Sequence, residues 1–256
     1  MSDGVGRDDL AAFLADYLQI DRCRDVAPNG LQVPGAERVH HLVLGVSSSL
    51  QLFRRAAAAG GQAVLVHHGL FWERQPRSID PVMKGRLEAL FAADLSLFAY
   101  HIPLDRHREV GNNVQLVRRL GLELSDRPFG RYDGDSIGAV GTAADGLELT
   151  QLASRLAGLT GGAAVVHAYG PERIRTLGAI SGGAASGFCE ASAAGLDCFV
   201  TGEVAEPTQS IAREAGANFV AIGHYNSEKF GVLALGDLLA ARFGLTIEFV
   251  DLPNAA

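Results

Sequence analysis

Apolar positions along this chain recur with two periods, one helical and one extended. Leu10, Phe13, Leu14 and Leu18 share the three-and-four spacing of one helix face, which predicts an amphipathic helix over 8–18. A polar loop carrying Asn29-Gly30-Leu31-Gln32-Val33 follows. Short apolar runs then predict strands over 41–46, 63–66 and 95–99, alternating with helices over 50–59, 81–93 and 114–120. Ser49 is placed to cap the helix over 50–59, and Gly60-Gly61 to end it through a left-handed turn. Such alternation of short buried strands with helices predicts an α/β fold with a mainly parallel sheet.

A second series repeats the plan. It predicts strands over 136–140, 163–167, 176–180, 198–201 and 218–222, helices over 149–156, 187–194, 207–214 and 228–243, and a last strand over 246–250. The polar, turn-rich stretch over 122–135 reads as a domain boundary. Sliding 39–68 by 135 residues lays it on 174–203 without a gap, so that Leu42, Phe53, Ala56 and Gly60 meet Leu177, Phe188, Ala191 and Gly195. His101-x-x-x-Asp105 in the first series likewise resembles His224-x-x-x-Glu228 in the second. The expectation is a duplicated α/β/α unit: one copy over 1–126 completed by 218–256, the other over 127–217.

No apolar run reaches the length needed to span a bilayer, and Met1-Ser2-Asp3-Gly4 lacks the basic-then-apolar order of a secretion signal. Three cysteines, Cys23, Cys189 and Cys198, have no metal-binding spacing and suit a reducing compartment. Both features point to the cytoplasm, with no membrane partner. The net charge of −7, with Lys84 and Lys229 the only lysines, argues against a phosphate-backbone grip and hence against nucleic acid as a partner.

In open parallel sheets, ligands bind beyond the carboxyl ends of the strands, and this chain places its unusual polar residues there. Strand 63–66 runs into His67-His68-Gly69, strand 95–99 into Tyr100-His101 and then Asp105, strand 198–201 into Gly202-Glu203, and strand 218–222 into Gly223-His224 and then Glu228. Imidazole with carboxylate suits Zn, Fe, Mn, Co or Ni. Splayed at a loop, His67 and His68 can serve two neighbouring ions, and five groups (His67, His68, Asp105, His224, Glu228) leave positions for water. Each signal has an ordinary reading as well. A His-His pair recurs at His40-His41, Asp105 could start a turn, and Glu228 in a first helical turn is favoured by the helix dipole. Convergence on one rim is what favours a metal.

The motifs Asn29-Gly30-Leu31-Gln32-Val33, His67-His68-Gly69-Leu70-Phe71-Trp72, His101-x-x-Leu104-Asp105 with Gly111-Asn112-Asn113, Thr201-Gly202-Glu203, Gly223-His224-x-x-Ser227-Glu228-x-x-Gly231 and Leu252-Pro253-Asn254 resemble, in order and over nearly the whole chain, the Nif3-like family, also catalogued as GTP cyclohydrolase 1 type 2 homologues. The resemblance implies the Nif3-like fold of two related α/β/α units and a dinuclear metal centre held by His67, His68, Asp105, His224 and Glu228. It also implies a toroidal homohexamer with the metal sites facing its cavity. Two departures stand out. Tyr225 and Asn226 replace a frequent threonine or second histidine, and Ser47-Ser48-Ser49 replaces a frequent Asp-led triplet, which removes a carboxylate near the site, so no base is assigned from that strand.

The expected function is therefore that of a dinuclear metal-binding protein acting as a metal-dependent hydrolase on a small phosphorylated, nucleotide-like or cyclic amide substrate. Its cofactors would be two divalent ions per subunit. His101 and Glu203 are candidates for ligand support or proton transfer; their ordinary reading is orientation of Asp105 by His101 and capping by Glu203. The alternative is a non-enzymatic, ring-shaped metal-binding or regulatory protein. The segment over 71–83 exceeds its counterpart in the second copy and is a candidate lid.

Overall fold

The computed structural model describes residues 4–254. Its chain forms two compact units, one from Met1–Leu104 with Val232–Leu252, the other from Asp105–Gly231 with the residues that follow Leu252. These divisions fall at 104/105 and 231/232, away from the 126 and 218 read from the sequence. The polar stretch before 126 is not a linker: Glu123–Ser125 is a strand, paired with Val140–Thr142 at a sheet edge.

The first unit is built on a five-stranded sheet in the order Thr246–Phe249, His41–Ser47, Ala63–His68, Ser96–Ala99, Gly30–Val33. The first four run parallel; only Gly30–Val33 is antiparallel. The central strands are near-continuously buried, as strands covered on both faces must be. Helix Leu50–Ala58 begins where Ser49 Oγ accepts from Leu52 N at 3.1 Å and ends before Gly60, whose φ of +75° suits glycine. It buries Leu52, Phe53 and Ala56 against Val43, Val64, Val66 and Leu97. Helix Pro81–Ala92 starts with Asp80 Oδ1 accepting from Met83 N at 2.7 Å and Pro81 in the first turn, where a missing N–H costs nothing.

The second unit carries a six-stranded sheet in the order Val165–His167, Asn218–Ala221, Cys198–Thr201, Arg173–Ala179, Ala139–Glu148, Glu123–Ser125. Its three central strands are parallel and its flanks antiparallel. Alternate residues face two cores. Cys198 and Val200 join Leu152, Leu156 and Leu177 on one side, while Phe199 packs with Phe188, Phe219 and Ala212 on the other. The strand expected over 136–140 starts later and runs to Glu148, with a register break between Thr142 and Leu147.

The duplication survives in the hydrogen-bond register. Leu42, Val43 and Leu44 pair with Ala63, Val64 and Leu65. Leu177, Gly178 and Ala179 pair with Cys198, Phe199 and Val200, every number raised by 135. The third strand keeps step at a different offset: Ala63 pairs with Ser96, and Cys198 with Asn218, a shift of 122. By this register the short helices Ile102–Asp105 and His224–Ser227 coincide. Consequently His101 precedes its helix whereas His224 opens its own, and the two His-x-x-x-acid signatures are one residue out of step.

Candidate metal centre

Within the first unit, strand Ala63–His68 ends in the two histidines, and His101 follows the neighbouring strand. One ring nitrogen from each of His67, His68 and His101 lies within 4.8 Å of the others. The pleat sends His67 inward to full burial and leaves His68 half-buried. His67 Nδ1 donates to the carbonyl of Tyr100 at 2.9 Å. Because a carbonyl only accepts, the neutral ring carries its proton on Nδ1 and its lone pair on Nε2. His101 Nδ1 lies 2.8 Å from Asp25 Oδ1, which fixes the same tautomer, and His68 Nδ1 meets Ser47 Oγ at 2.9 Å. Histidines tethered through one nitrogen to a carbonyl or carboxylate are the usual form of metal-binding imidazole.

The Asn29–Val33 motif is the frame for these rings. Asn29 Oδ1 accepts from His101 N at 2.7 Å, and its amide donates to Asp25 Oδ2 at 2.9 Å. Gln32 Oε1 accepts from Leu70 N at 2.8 Å and Nε2 donates to the carbonyl of Pro28. Gly69 has no room for a Cβ beside that same amide. The Asp25 side chain is 2% exposed. Burial pushes its carboxyl up, but hydrogen bonds from His101, Asn29 and the amide of Ile102 outweigh that and hold it below the ordinary range. Nothing in the sequence singled out Asp25, an acid in a loop 76 residues from the histidine it orients.

Within the second unit, His224 lies between two carboxylates. Nδ1 is 2.5 Å from Glu203 Oε1 and Nε2 is 3.2 Å from Glu228 Oε1. The hydrogen bond and charge of Glu228, with those of Glu203, push the imidazole up to about 9 against the opposing effect of burial. His224 Nε2 and the Glu228 carboxylate face each other at a position where a cation could take both donors. Glu228 does not sit in the first turn of the long helix, as the sequence suggested. It is the joint between His224–Ser227 and Lys229–Phe243, with φ −111°.

Glu228 rests against Gly182. This residue has φ +70°, and a Cβ there would overlap Glu228 Oε1 and stand 3.2 Å from His224 Nε2. Gly182 N donates to Ser227 Oγ at 2.8 Å, and its carbonyl accepts from the amides of Gly202 and Glu203. Asp105, buried, takes hydrogen bonds on one oxygen, from Asn112 Nδ2 at 2.8 Å and Ser181 Oγ at 3.0 Å. Asn112 Oδ1 accepts from Gly231 N and Asn113 Oδ1 from Ser181 N, each at 2.7 Å. The Gly111-Asn112-Asn113 motif thus ties Asp105 to both the loop at Ser181 and the helix beyond Glu228. Ser181 and Gly182 escaped sequence reasoning because small residues in a loop carry no signal of what they hold.

The structure therefore gathers His67, His68 and His101 in one unit, and His224, Glu228 and Glu203 in the other, with Asp105 anchored in the second. An all-nitrogen-and-oxygen donor set, with the rings of His67 and His101 each held in one tautomer and a glycine cradle under the Glu228 carboxylate, fits a divalent metal. Among the described residues, no helix is long and apolar enough to cross a membrane.

The family model Duf34/NIF3 (NGG1p interacting factor 3) matches residues 5–255. A Deinococcus radiodurans protein named GTP cyclohydrolase 1 type 2 homolog is 40% identical over 251 residues, covering 98% of this chain and 94% of its own. The solved structure of protein ybgI, described as of unknown function, has a TM-score of 0.92 and 35% identity over 98% of this chain and all of its own. A crystal structure from Thermus thermophilus superposes with a TM-score of 0.88 at 38% identity, again over 98% of this chain and all of the other. The chain belongs to the Duf34/NIF3 family.

Proposed function

We propose that this protein is a metal-dependent hydrolase of a small phosphorylated, nucleotide-like or cyclic amide substrate, with two divalent ions held by His67, His68, Asp105, His224 and Glu228. The observation that carries the reading is the three-histidine group, whose ring nitrogens lie within 4.8 Å of one another and whose rings are tethered by Tyr100 and Asp25. The His224–Glu228 pair supports it, as does the buried carboxylate of Asp105, positioned by Asn112 and Ser181. Divalent ions held by these side chains would supply Lewis acidity and lower the pKa of water toward neutrality.

The remaining roles fall to the chain itself. His101, its ring fixed by Asp25, and Glu203, which lies against the ring of His224, are the two groups placed to hold or pass a proton. The relatives' printed name, GTP cyclohydrolase 1 type 2 homolog, supports placing opening of a nucleotide ring among the reactions tried. We assign the protein to the cytoplasm on its sequence character.

Elemental analysis of protein purified without added metal, with an anomalous-scattering map, tests the ligands. Two ions per chain at the named side chains are expected, and their lack would overturn the reading. A panel of phosphoesters, nucleotides and cyclic amides, incubated with Zn-, Mn- and Fe-loaded protein, tests the chemistry. Turnover abolished by a chelator supports the hydrolase, whereas silence across the panel with full metal stoichiometry favours a metal-binding protein without enzymatic activity.

A further inference from the structure

The two copies of the α/β unit differ most where the first carries additional chain. Between strands in matching register, 33 residues separate Ala63 from Ser96, but only 20 separate Cys198 from Asn218. Much of the excess lies in one loop: twelve residues, 69–80, precede helix Pro81–Ala92, against six, 202–207, before Thr208–Ala215. The shorter copy completes the same strand order, so the fold does not require the longer loop. Two of the loop's apolar side chains stay exposed, Phe71 at 39% and Ile79 at 68%.

This loop walls a cavity of about 320 Å³ lined by Pro28, Phe71, Trp72, Arg77, Ile79 and Met83, among others. That is the size of a small-molecule site. Trp72 joins the cavity to the histidines: its indole lies 5.7 Å from the ring of His68 and, edge-on, 5.2 Å from that of His101. The backbone on either side is pinned, with Glu73 N donating to the carbonyl of Val26 at 2.7 Å and Leu70 N to Gln32 at 2.8 Å. An indole and a phenyl ring, with a proline and a thioether beside them, present flat polarizable surface suited to an aromatic ring. Arg77 adds a planar cation matched to phosphate or carboxylate.

We propose that this cavity is a substrate-recognition site for a small heteroaromatic molecule bearing an anionic group, its ring stacked on Trp72 and its anion held by Arg77. The assignment rests on the hydrolase reading, because it places the reacting end of such a molecule beside His68 and His101. It narrows the substrate class to ring-bearing anions and excludes simple sugar phosphates.

Trp72 is the only tryptophan in the chain, so its fluorescence reports on the cavity directly. The probes are AMP, GMP, CMP and nicotinic acid mononucleotide, with adenosine and ribose 5-phosphate as partial ligands, against metal-free and Zn-loaded protein. At least one mononucleotide should change the emission saturably, about tenfold more tightly than its neutral nucleoside, as a charge-assisted contact predicts. Ribose 5-phosphate should leave the emission unchanged. Arg77→Gln, at an exposed position, should erase the difference between AMP and adenosine. Lack of any saturable change, or an equal response to ribose 5-phosphate, would overturn the proposal. Metal content of the Zn-loaded samples separates the two readings: ring binding by protein that retains no zinc after loading defeats the hydrolase reading alone, and full metal without ring binding defeats this one alone.

Discussion

Replacing Gly182 by alanine tests the ligand role of Glu228 without touching a ligand. Two costs are expected. The first is backbone strain: φ is +70°, where an L-residue with a Cβ loses about 1 kcal/mol. The second is collision, because the new methyl would overlap Glu228 Oε1 and crowd His224 Nε2 at 3.2 Å. Restoring ordinary contact requires the carboxylate to retreat by roughly 1 Å. Metal–ligand distances tolerate only about 0.2 Å, so a displaced Glu228 ceases to be a ligand and affinity should fall by about 10-fold or more. Gly195→Ala separates the costs, since Gly195 has φ +69° and nothing within 4 Å of its added Cβ. Both variants should melt within a few degrees of wild type, about 2–4 °C per kcal/mol for a chain of this size. Only Gly182→Ala should lose metal in a competition with a chelator of known affinity. Wild-type affinity in Gly182→Ala, or equal loss in Gly195→Ala, would refute the argument.

Glu228→Gln keeps the size of the side chain and removes its charge, so metal should again weaken by about 10-fold or more while the same change at exposed Glu206 does little; two tightly held ions per chain in Glu228→Gln would remove it from the ligand set. Asp25→Asn should cost about 1–3 kcal/mol near neutral pH by disturbing a buried, multiply bonded carboxylate. The folded carboxyl lies below its ordinary value, so its stabilisation is present above the unfolded value of about 3.9 and is lost as pH falls through the lower folded value. Urea midpoints of variant and wild type should therefore stay a constant distance apart from about pH 7 to 5 and converge below about pH 4; a gap unchanged in acid would contradict the linkage. Light scattering of the metal-loaded protein should give a particle of about six chains, the closed ring implied by the family, and a stable monomer at micromolar concentration would count against that assembly.

What the sequence revealed follows the strength of its physical signals. Strands His41–Ser47 and Ala63–His68 were legible because buried parallel strands are apolar on both faces, and helix Leu50–Ala58 because Ser49 and Gly60 mark its ends. Gly30–Val33 was hidden because an edge strand with one buried residue looks like a polar loop. Glu123–Ser125 was hidden for the same reason. The histidines and acids of the candidate centre stood out as charges at strand ends. Their supports did not: Asp25, Ser181 and Gly182 act through contacts distant in sequence. The register error between His101 and His224 has a simple origin, since matching letters favoured an offset of 123 where strand pairing requires 122.

The retained offset of 135 has a consequence for how such a chain tolerates change. From Leu42 to Val66, spacing is locked, because one inserted residue in a pleated strand turns every later side chain to the opposite face. His67 and His68 would be swung away with it. The loop over 69–80 is under no such constraint and differs twofold in length between the copies. Insertions and deletions can accumulate there while the strand that aims the imidazoles stays fixed. A scaffold divided in this way can alter what it recognises by editing one surface segment and leave the residues that would hold the metal where they are.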